Sequence, residues 1–141
     1  EVDATLLAAA GLERLRRHDT GVAIPVDVML PAPAQGAVGI ETLADGAARA
    51  LVAAIDDAPT HRAIAAERAL LAGLRADCHS PVAALATVAG TGLRLRAQLL
   101  TPEGDDAVDG EATGDDPVTL GARLAEELLA RAPPAIRALF G

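Results

Sequence analysis

Cys78 is the only cysteine in the 141-residue chain, and it directly follows a run with helical character. As a thiolate, a cysteine is a soft nucleophile that can form a lasting covalent bond to an electrophilic carbon. A lone cysteine can also be a small, unreactive, buried hydrophobic residue, and composition alone favours this second interpretation. His79 follows it, but neighbours on an extended chain point in different directions, which disfavours a Cys–His catalytic pair.

The elements around Cys78 can be predicted from the spacing of the apolar residues. Ile64, Leu71 and Leu74 form one stripe of a helix before the cysteine, and Thr60 stands where its hydroxyl could cap that helix. The predicted elements are a helix over residues 61–75, strands over 82–89, 93–99 and 107–113, the last at a sheet edge, and a helix from Asp116-Pro117 to Pro133-Pro134. This order predicts an α+β domain of three antiparallel strands with helices packed on one face.

The first 58 residues predict a separate set of elements. Residues 56–60, which contain two aspartates and a proline, form the best candidate domain boundary. The predicted elements before it are a helix over 3–17, a β-rich run over 22–30, an extended proline-containing crossover over 31–36, a short buried strand over 37–41, and a helix over 45–55.

Composition and charge exclude several classes of function. The formal net charge is −8, which disfavours nucleic acid and the membrane surface as partners. A single cysteine excludes an internal disulfide, and no long apolar run is present, so a soluble cytoplasmic protein is expected. We expect no metal site, because Asp105, Asp106 and Asp109 lack EF-hand spacing and the three histidines lack zinc spacing.

Four segments, taken in order, carry a family resemblance. They are residues 3–15, with Gly11-Leu12-Glu13-Arg14-Leu15; residues 31–41, with Gln35-Gly36-Ala37-Val38-Gly39-Ile40-Glu41; the run from Glu67-Arg68 to Cys78; and Leu120-Gly121 with Leu124-Ala125-Glu126-Glu127-Leu128-Leu129. The chain thereby resembles the porphobilinogen deaminases, also called hydroxymethylbilane synthases. Chains of that family are about twice as long, and this one does not begin with Met, so a C-terminal half is expected.

The resemblance divides the chain into pieces of three domains. Residues 1–30 would be the end of the family's second domain, residues 31–58 a crossover strand and helix of its first α/β domain, and residues 59–141 the C-terminal cofactor-attachment domain. On this basis partial pieces of two α/β domains precede the α+β domain. Gln35 matches the crossover pattern and is equally well interpreted as a hinge residue.

The resemblance also implies an activity. The family joins four porphobilinogens head to tail into hydroxymethylbilane with release of ammonia, a step of tetrapyrrole and haem biosynthesis. It implies a dipyrromethane cofactor attached covalently through Cys78 by a thioether. Arg14 would clamp a carboxylate of cofactor or substrate, or else simply complement the C-terminus of its helix. The catalytic aspartate belongs to the absent N-terminal half, so no catalytic residue is assigned here and the fragment alone is expected to be inactive.

The expected partners follow from the same resemblance. They are porphobilinogen, the growing pyrrole chain and the protein's own N-terminal half. The complete protein is expected to be a monomer.

The attachment motif departs from the family pattern, because Ala76 and Asp77 stand where two small residues are usual and Ser80 replaces a β-branched residue. A carboxylate at Asp77 opposes a neighbouring thiolate, whereas a protonated His79 would offset it. The alternative function is a non-enzymatic α+β binding or interaction module that has lost attachment.

Overall fold

Regular structure is concentrated in the second half of the chain. A computed structural model describes residues 2–140. The helices are α1 Ala9–Arg14, α2 Ala48–Ala53, α3 Ala58–Leu74, α4 Pro117–Arg131 and α5 Pro134–Arg137, and the strands are β1 Val82–Ala89, β2 Gly92–Leu100 and β3 Ala107–Gly114. Within residues 2–140, no helix has both the length and the apolar character that crossing a bilayer requires.

The three strands form one antiparallel sheet in the order β1-β2-β3. Ala97 of β2 lies opposite Ala84 of β1 and opposite Gly110 of β3. Alternate residues of the strands are buried, and α3 and α4 cover that face. The buried strand residues are Val82, Ala84, Ala86, Leu93, Leu95, Ala97, Leu99 and Val108. The predicted α+β domain and the edge position of the third strand are therefore confirmed.

Aspartates cap both long helices. The Asp57 carboxylate accepts a hydrogen bond from the Thr60 N–H at 2.9 Å, and the Asp116 carboxylate accepts one from the Thr119 N–H at 2.7 Å. Hydrogen bonding by the side chains of Thr60 and Thr119, and then by their backbone N–H groups, lowers the pKa of the Asp57 and Asp116 carboxyl groups respectively. The cap predicted at Asp116 is confirmed, but the Thr60 cap is wrong. The helix begins at Ala58, because Pro59 needs no hydrogen-bond acceptor in a first turn.

The first 58 residues hold less regular structure than the sequence predicts. The helices expected over 3–17 and 45–55 shorten to α1 and α2, and neither contains a buried residue. The runs 22–30 and 37–41 form no strand, and residues 37–41 are all exposed rather than buried. These predictions are wrong because a strand needs a neighbouring strand to pair with. Short helices without a packing partner are likewise only marginally stable.

Helices α3 and α4 approach each other closely at glycine. A Cβ added at Gly121 would lie 2.6 Å from the Leu70 nitrogen, and it would come closer still to the Ala66 carbonyl oxygen. A Cβ at Gly73 would lie 2.7 Å from the Ala125 side chain. The core is built mainly of leucine and alanine with one aromatic residue, Phe140, and such close contact between the helices helps to pack it densely.

We predict that Gly121→Ala lowers the free energy of unfolding by about 1–3 kcal/mol, because the added methyl group overlaps backbone atoms that cannot rotate away. Urea unfolding followed by circular dichroism measures the change. Gly114→Ala is the matched control, since a Cβ there meets only the Leu120 side chain at 3.6 Å and 3.7 Å. An unfolding midpoint for Gly121→Ala equal to that of the control would contradict the close packing.

Candidate cofactor-attachment site

Cys78 lies near the apex of the loop that joins α3 to β1, residues 75–81, which we call the cysteine loop. Helix α3 ends at Leu74, and Arg75 adopts a left-handed conformation with φ of 53°. The Ala76 N–H then donates to the Leu71 carbonyl at 2.9 Å, which closes the helix end. The Cys78 thiol is free and exposed, so its interpretation as a buried hydrophobic residue is wrong.

Asp77 and Ser80 close the cysteine loop with reciprocal hydrogen bonds. The Asp77 carboxylate accepts from the His79 N–H at 2.8 Å and from the Ser80 hydroxyl at 3.1 Å. The Ser80 Oγ in turn accepts the Asp77 N–H at 2.9 Å. The His79 and Ser80 hydrogen bonds lower the pKa of the Asp77 carboxyl group. Two residues that depart from the family's motif therefore form a pair that shapes this loop around Cys78.

From the sequence, Asp77 is interpreted only by its negative charge beside the thiol, and its hydrogen bonds within the loop are missed. The signal was present, because an aspartate followed three residues later by a serine is typical of a closed local turn. The carboxylate oxygen Oδ1 is occupied by donors of the loop itself.

Arg14 lies in the last turn of α1, where its side chain is exposed. Of the residues that the structure describes, none forms an ion pair with its guanidinium. No hydrogen bond or ion pair within residues 2–140 joins Arg14 to the cysteine loop either. An exposed guanidinium is available for a carboxylate ligand, but its assignment as a clamp stays a prediction.

Glu67 is a further residue of interest, which the sequence marks only as part of the run that resembles the family. It is the one buried charged residue among residues 2–140, with 4% of its surface exposed. Its Oε1 accepts the Ala86 N–H of β1 at 2.8 Å, and its Oε2 accepts the Ala34 N–H at 2.6 Å. The available signal was an acidic residue one turn before Leu70 and two turns before Leu74, on the apolar stripe of α3.

Residues 27–34, which we call the strap, contact the C-terminal domain at three successive points. The Asp27 carboxylate pairs with the Arg96 guanidinium at 2.6 Å. The Pro31 carbonyl accepts the Ala84 N–H at 3.0 Å, on the side of β1 that faces away from β2. The third contact is the one from Ala34 to Glu67.

Comparison with known proteins matches the chain to two family models. Residues 61–130 match "Porphobilinogen deaminase, C-terminal domain", and residues 1–50 match "Porphobilinogen deaminase, dipyromethane cofactor binding domain". The chain belongs to the porphobilinogen deaminase family. The resemblance stated from the four sequence segments is thus confirmed, and the family is one of hydroxymethylbilane synthase-type transferases.

Individual porphobilinogen deaminases are similar along nearly the whole chain. The protein of Sphingopyxis alaskensis is 57% identical, over 99% of this chain and 45% of its own length. That of Paracoccus denitrificans is 46% identical, over 92% of this chain and 43% of its own. Porphobilinogen deaminase 1 of Streptomyces avermitilis is 44% identical, over 93% of this chain and 44% of its own length. The chain therefore spans a little less than half the length of these porphobilinogen deaminases.

The described residues fit a covalently held cofactor of this family in one respect. A bulky group joined to Cys78 needs a sulfur atom that projects from the fold, and the exposed Cys78 thiol meets that need. The family model whose description names the dipyrromethane cofactor matches residues 1–50, a range that does not include Cys78. Thioether attachment at Cys78, the role of Arg14 and the domain limits at residues 30 and 58 stay predictions.

We predict that the hydrogen bonds of the cysteine loop are lost in acid. Because the folded-state pKa of Asp77 lies below its ordinary 3.8, the carboxylate hydrogen bonds are present above that pH. They disappear as the pH falls through the lowered folded-state pKa. The His79 amide resonance, followed by NMR, should titrate with a midpoint below 3.8.

This low-pH inflection should be absent in Asp77→Asn. The matched control is Asp105→Asn, which changes an exposed carboxylate in the turn after β2 and should leave the His79 titration as it is. A His79 midpoint at or above 3.8 in the unaltered chain would contradict the hydrogen-bonded loop.

Proposed function

We propose that this chain is the cofactor-bearing C-terminal half of a hydroxymethylbilane synthase, which polymerises porphobilinogen with release of ammonia in the cytoplasm. Dipyrromethane is held by a thioether at Cys78. The observation that carries the proposal is the exposed Cys78 thiol in a hydrogen-bonded loop, within a chain 57% identical to a porphobilinogen deaminase. Membership of the family supplies the reaction, and the loop supplies the point of attachment.

The chemistry at Cys78 follows from the properties of sulfur. Its Sγ forms one S–C bond to the methylene carbon of an aminomethyl pyrrole, and the carbon–nitrogen bond breaks so that ammonia leaves with the thiol proton. A thioether is stable afterwards, and the cysteine then serves as a tether. The bound dipyrromethane supplies a pyrrole terminus for chain growth. Tethering makes each later condensation effectively intramolecular.

The cysteine loop supports this role because it holds Cys78 without covering it. Hydrogen bonds among Asp77, His79 and Ser80 restrict the backbone on both sides of the sulfur. A restricted attachment point limits the positions that a tethered group can reach, which favours reaction in one place. The departure at Asp77 is thus compatible with attachment, since its carboxylate serves the loop.

Arg14 is proposed as a clamp for the acetate or propionate side chain of a pyrrole. A guanidinium binds a carboxylate through two parallel hydrogen bonds, and such a pair is stronger than one between neutral groups. Exposure of Arg14 on α1 and the absence of an ion pair within the described residues leave it available for this role.

Turnover is proposed to need the N-terminal half as partner. The chain covers 45% of the Sphingopyxis alaskensis relative. Before residue 58 many large apolar side chains are exposed, and burial against the other half would remove them from water. They are Val2, Leu6, Leu7, Leu15, Val22, Ile24, Val26, Val28, Met29, Val38, Ile40, Leu43, Leu51 and Ile55. The acid that expels ammonia would come from that half.

We predict a mass excess equal to dipyrromethane on Cys78 once the chain is completed by its N-terminal half and isolated. Intact mass followed by mapping of the peptide over residues 74–82 locates it. Cys78→Ser should fold with the same circular dichroism and show no excess. Asp77→Gly, which restores a small residue beside the cysteine, is the control that should keep the excess. A completed protein with an unmodified, freely alkylated Cys78 would instead favour the binding-module alternative.

We also predict that Arg14→Gln lowers kcat/KM for porphobilinogen in the completed protein by roughly tenfold or more, since it removes a charged hydrogen-bond pair. Arg17→Gln is the matched control, because Arg17 is an exposed arginine just beyond the same helix. Steady-state consumption of porphobilinogen measures both variants. Equal losses in the two would show a general effect of charge and contradict the clamp.

A further inference from the structure

The strap crosses the edge of the sheet. Its first contact, Asp27 to Arg96, is made with a β2 side chain next to the buried Leu95 and Ala97 and so on the opposite face from the helices. Its second contact, Pro31 to Ala84, lies on the outer edge of β1. Its third contact is made with Glu67 of α3, on the helix-covered face. Eight residues of chain therefore pass from one face of the sheet to the other.

Glu67 joins the strap to both elements that flank the cysteine loop. The residue itself lies on α3, which leads into the loop, and its Oε1 binds β1, which leaves it. Its Oε2 binds the strap at Ala34. One buried carboxylate thus ties together the strap and the two ends of the loop that carries Cys78.

The local backbone shows that this contact is specific. Ala34 has a φ of 60°, a left-handed conformation that is unfavourable for alanine. A strained conformation of this kind persists only where surrounding contacts enforce it. The short hydrogen bond from the Ala34 N–H to Glu67 is such a contact.

We propose that Glu67 is a positioning residue: by holding the strap against α3 and β1, it sets where Cys78 lies relative to the residues that precede the strap and follow it. The inference rests on the proposed function in so far as that position matters for pyrrole condensation. The hydrogen bonds themselves do not depend on it.

The first experiment measures amide hydrogen exchange by NMR in Glu67→Gln. Glutamine keeps the shape but replaces one acceptor oxygen by an NH₂ group, so one of the two backbone donors loses its partner. Exchange at Ala34 or Ala86 should rise roughly tenfold or more, while β2 amides such as those of Leu95 and Ala97 stay within about twofold. Equal acceleration throughout the sheet, or none at Ala34 and Ala86, would overturn the proposal.

Two further variants distinguish a specific effect on the strap from a general loss of folding. Glu126→Gln changes an exposed acid on α4 and should leave all these rates unaltered. Asp27→Asn loosens the strap at its other end, where the side chain is 84% exposed and contributes nothing to the core. It should raise exchange at Ala84, whose partner is Pro31 of the strap, by less than Glu67→Gln raises it at whichever of Ala34 and Ala86 loses its acceptor. No change at Ala84 would overturn the view of the strap as one unit.

The second experiment uses the completed protein. Glu67→Gln should keep the dipyrromethane mass on Cys78 and yet lose roughly tenfold to a hundredfold in kcat, because small displacements of a tethered reactant are costly. Unchanged kcat together with faster exchange would make Glu67 structural only and overturn the positioning role. Absence of the mass from the unaltered completed protein would instead refute the proposed function, while the exchange results would still decide whether Glu67 holds the strap.

Discussion

The close approach of α3 and α4 is the contact on which the C-terminal domain depends. The core is built mainly of leucine and alanine with Phe140 as the only aromatic residue, and native packing density requires the helices to lie near each other and near the sheet. Gly121 permits this by leaving room for the backbone of α3 at Ala66 and Leu70. The position of α3 then determines where its last turn ends and where the chain leaves it towards Cys78.

The C-terminal domain could be predicted from the sequence because its signals are local and its partners lie within the chain. Alternation in β2 and the Asp116-Pro117 start of α4 each determine an element on their own. The runs 22–30 and 37–41 have the same apolar character, yet they form no strand. Their apolar pattern indicates that they could form strands, but no strand of residues 2–140 pairs with them.

For the candidate site, the sequence predicted the residue Cys78 but not the hydrogen bonds that surround it. Cys78 could be singled out by its uniqueness and by the family pattern, whereas the Asp77–Ser80 pair and the buried Glu67 depend on backbone groups that a sequence does not show. Charge at Asp77 suggested repulsion, but the geometry directs that carboxylate to the His79 N–H. A polar residue on an apolar helix stripe, as at Glu67, indicates that a buried partner exists without saying which.

The strap also has a consequence for solubility. A three-stranded sheet has two edges whose free N–H and C=O groups can recruit a strand from another molecule, which is a common route to aggregation. On β1 the outward N–H groups of Ala84 and Ala86 are already occupied by Pro31 and Glu67. On β3, at the other edge, the exposed Asp109 accepts a hydrogen bond from Gln98 and Glu111 forms an ion pair with Arg94. One edge is covered and the other carries charged side chains, and both features oppose pairing with a strand of another molecule.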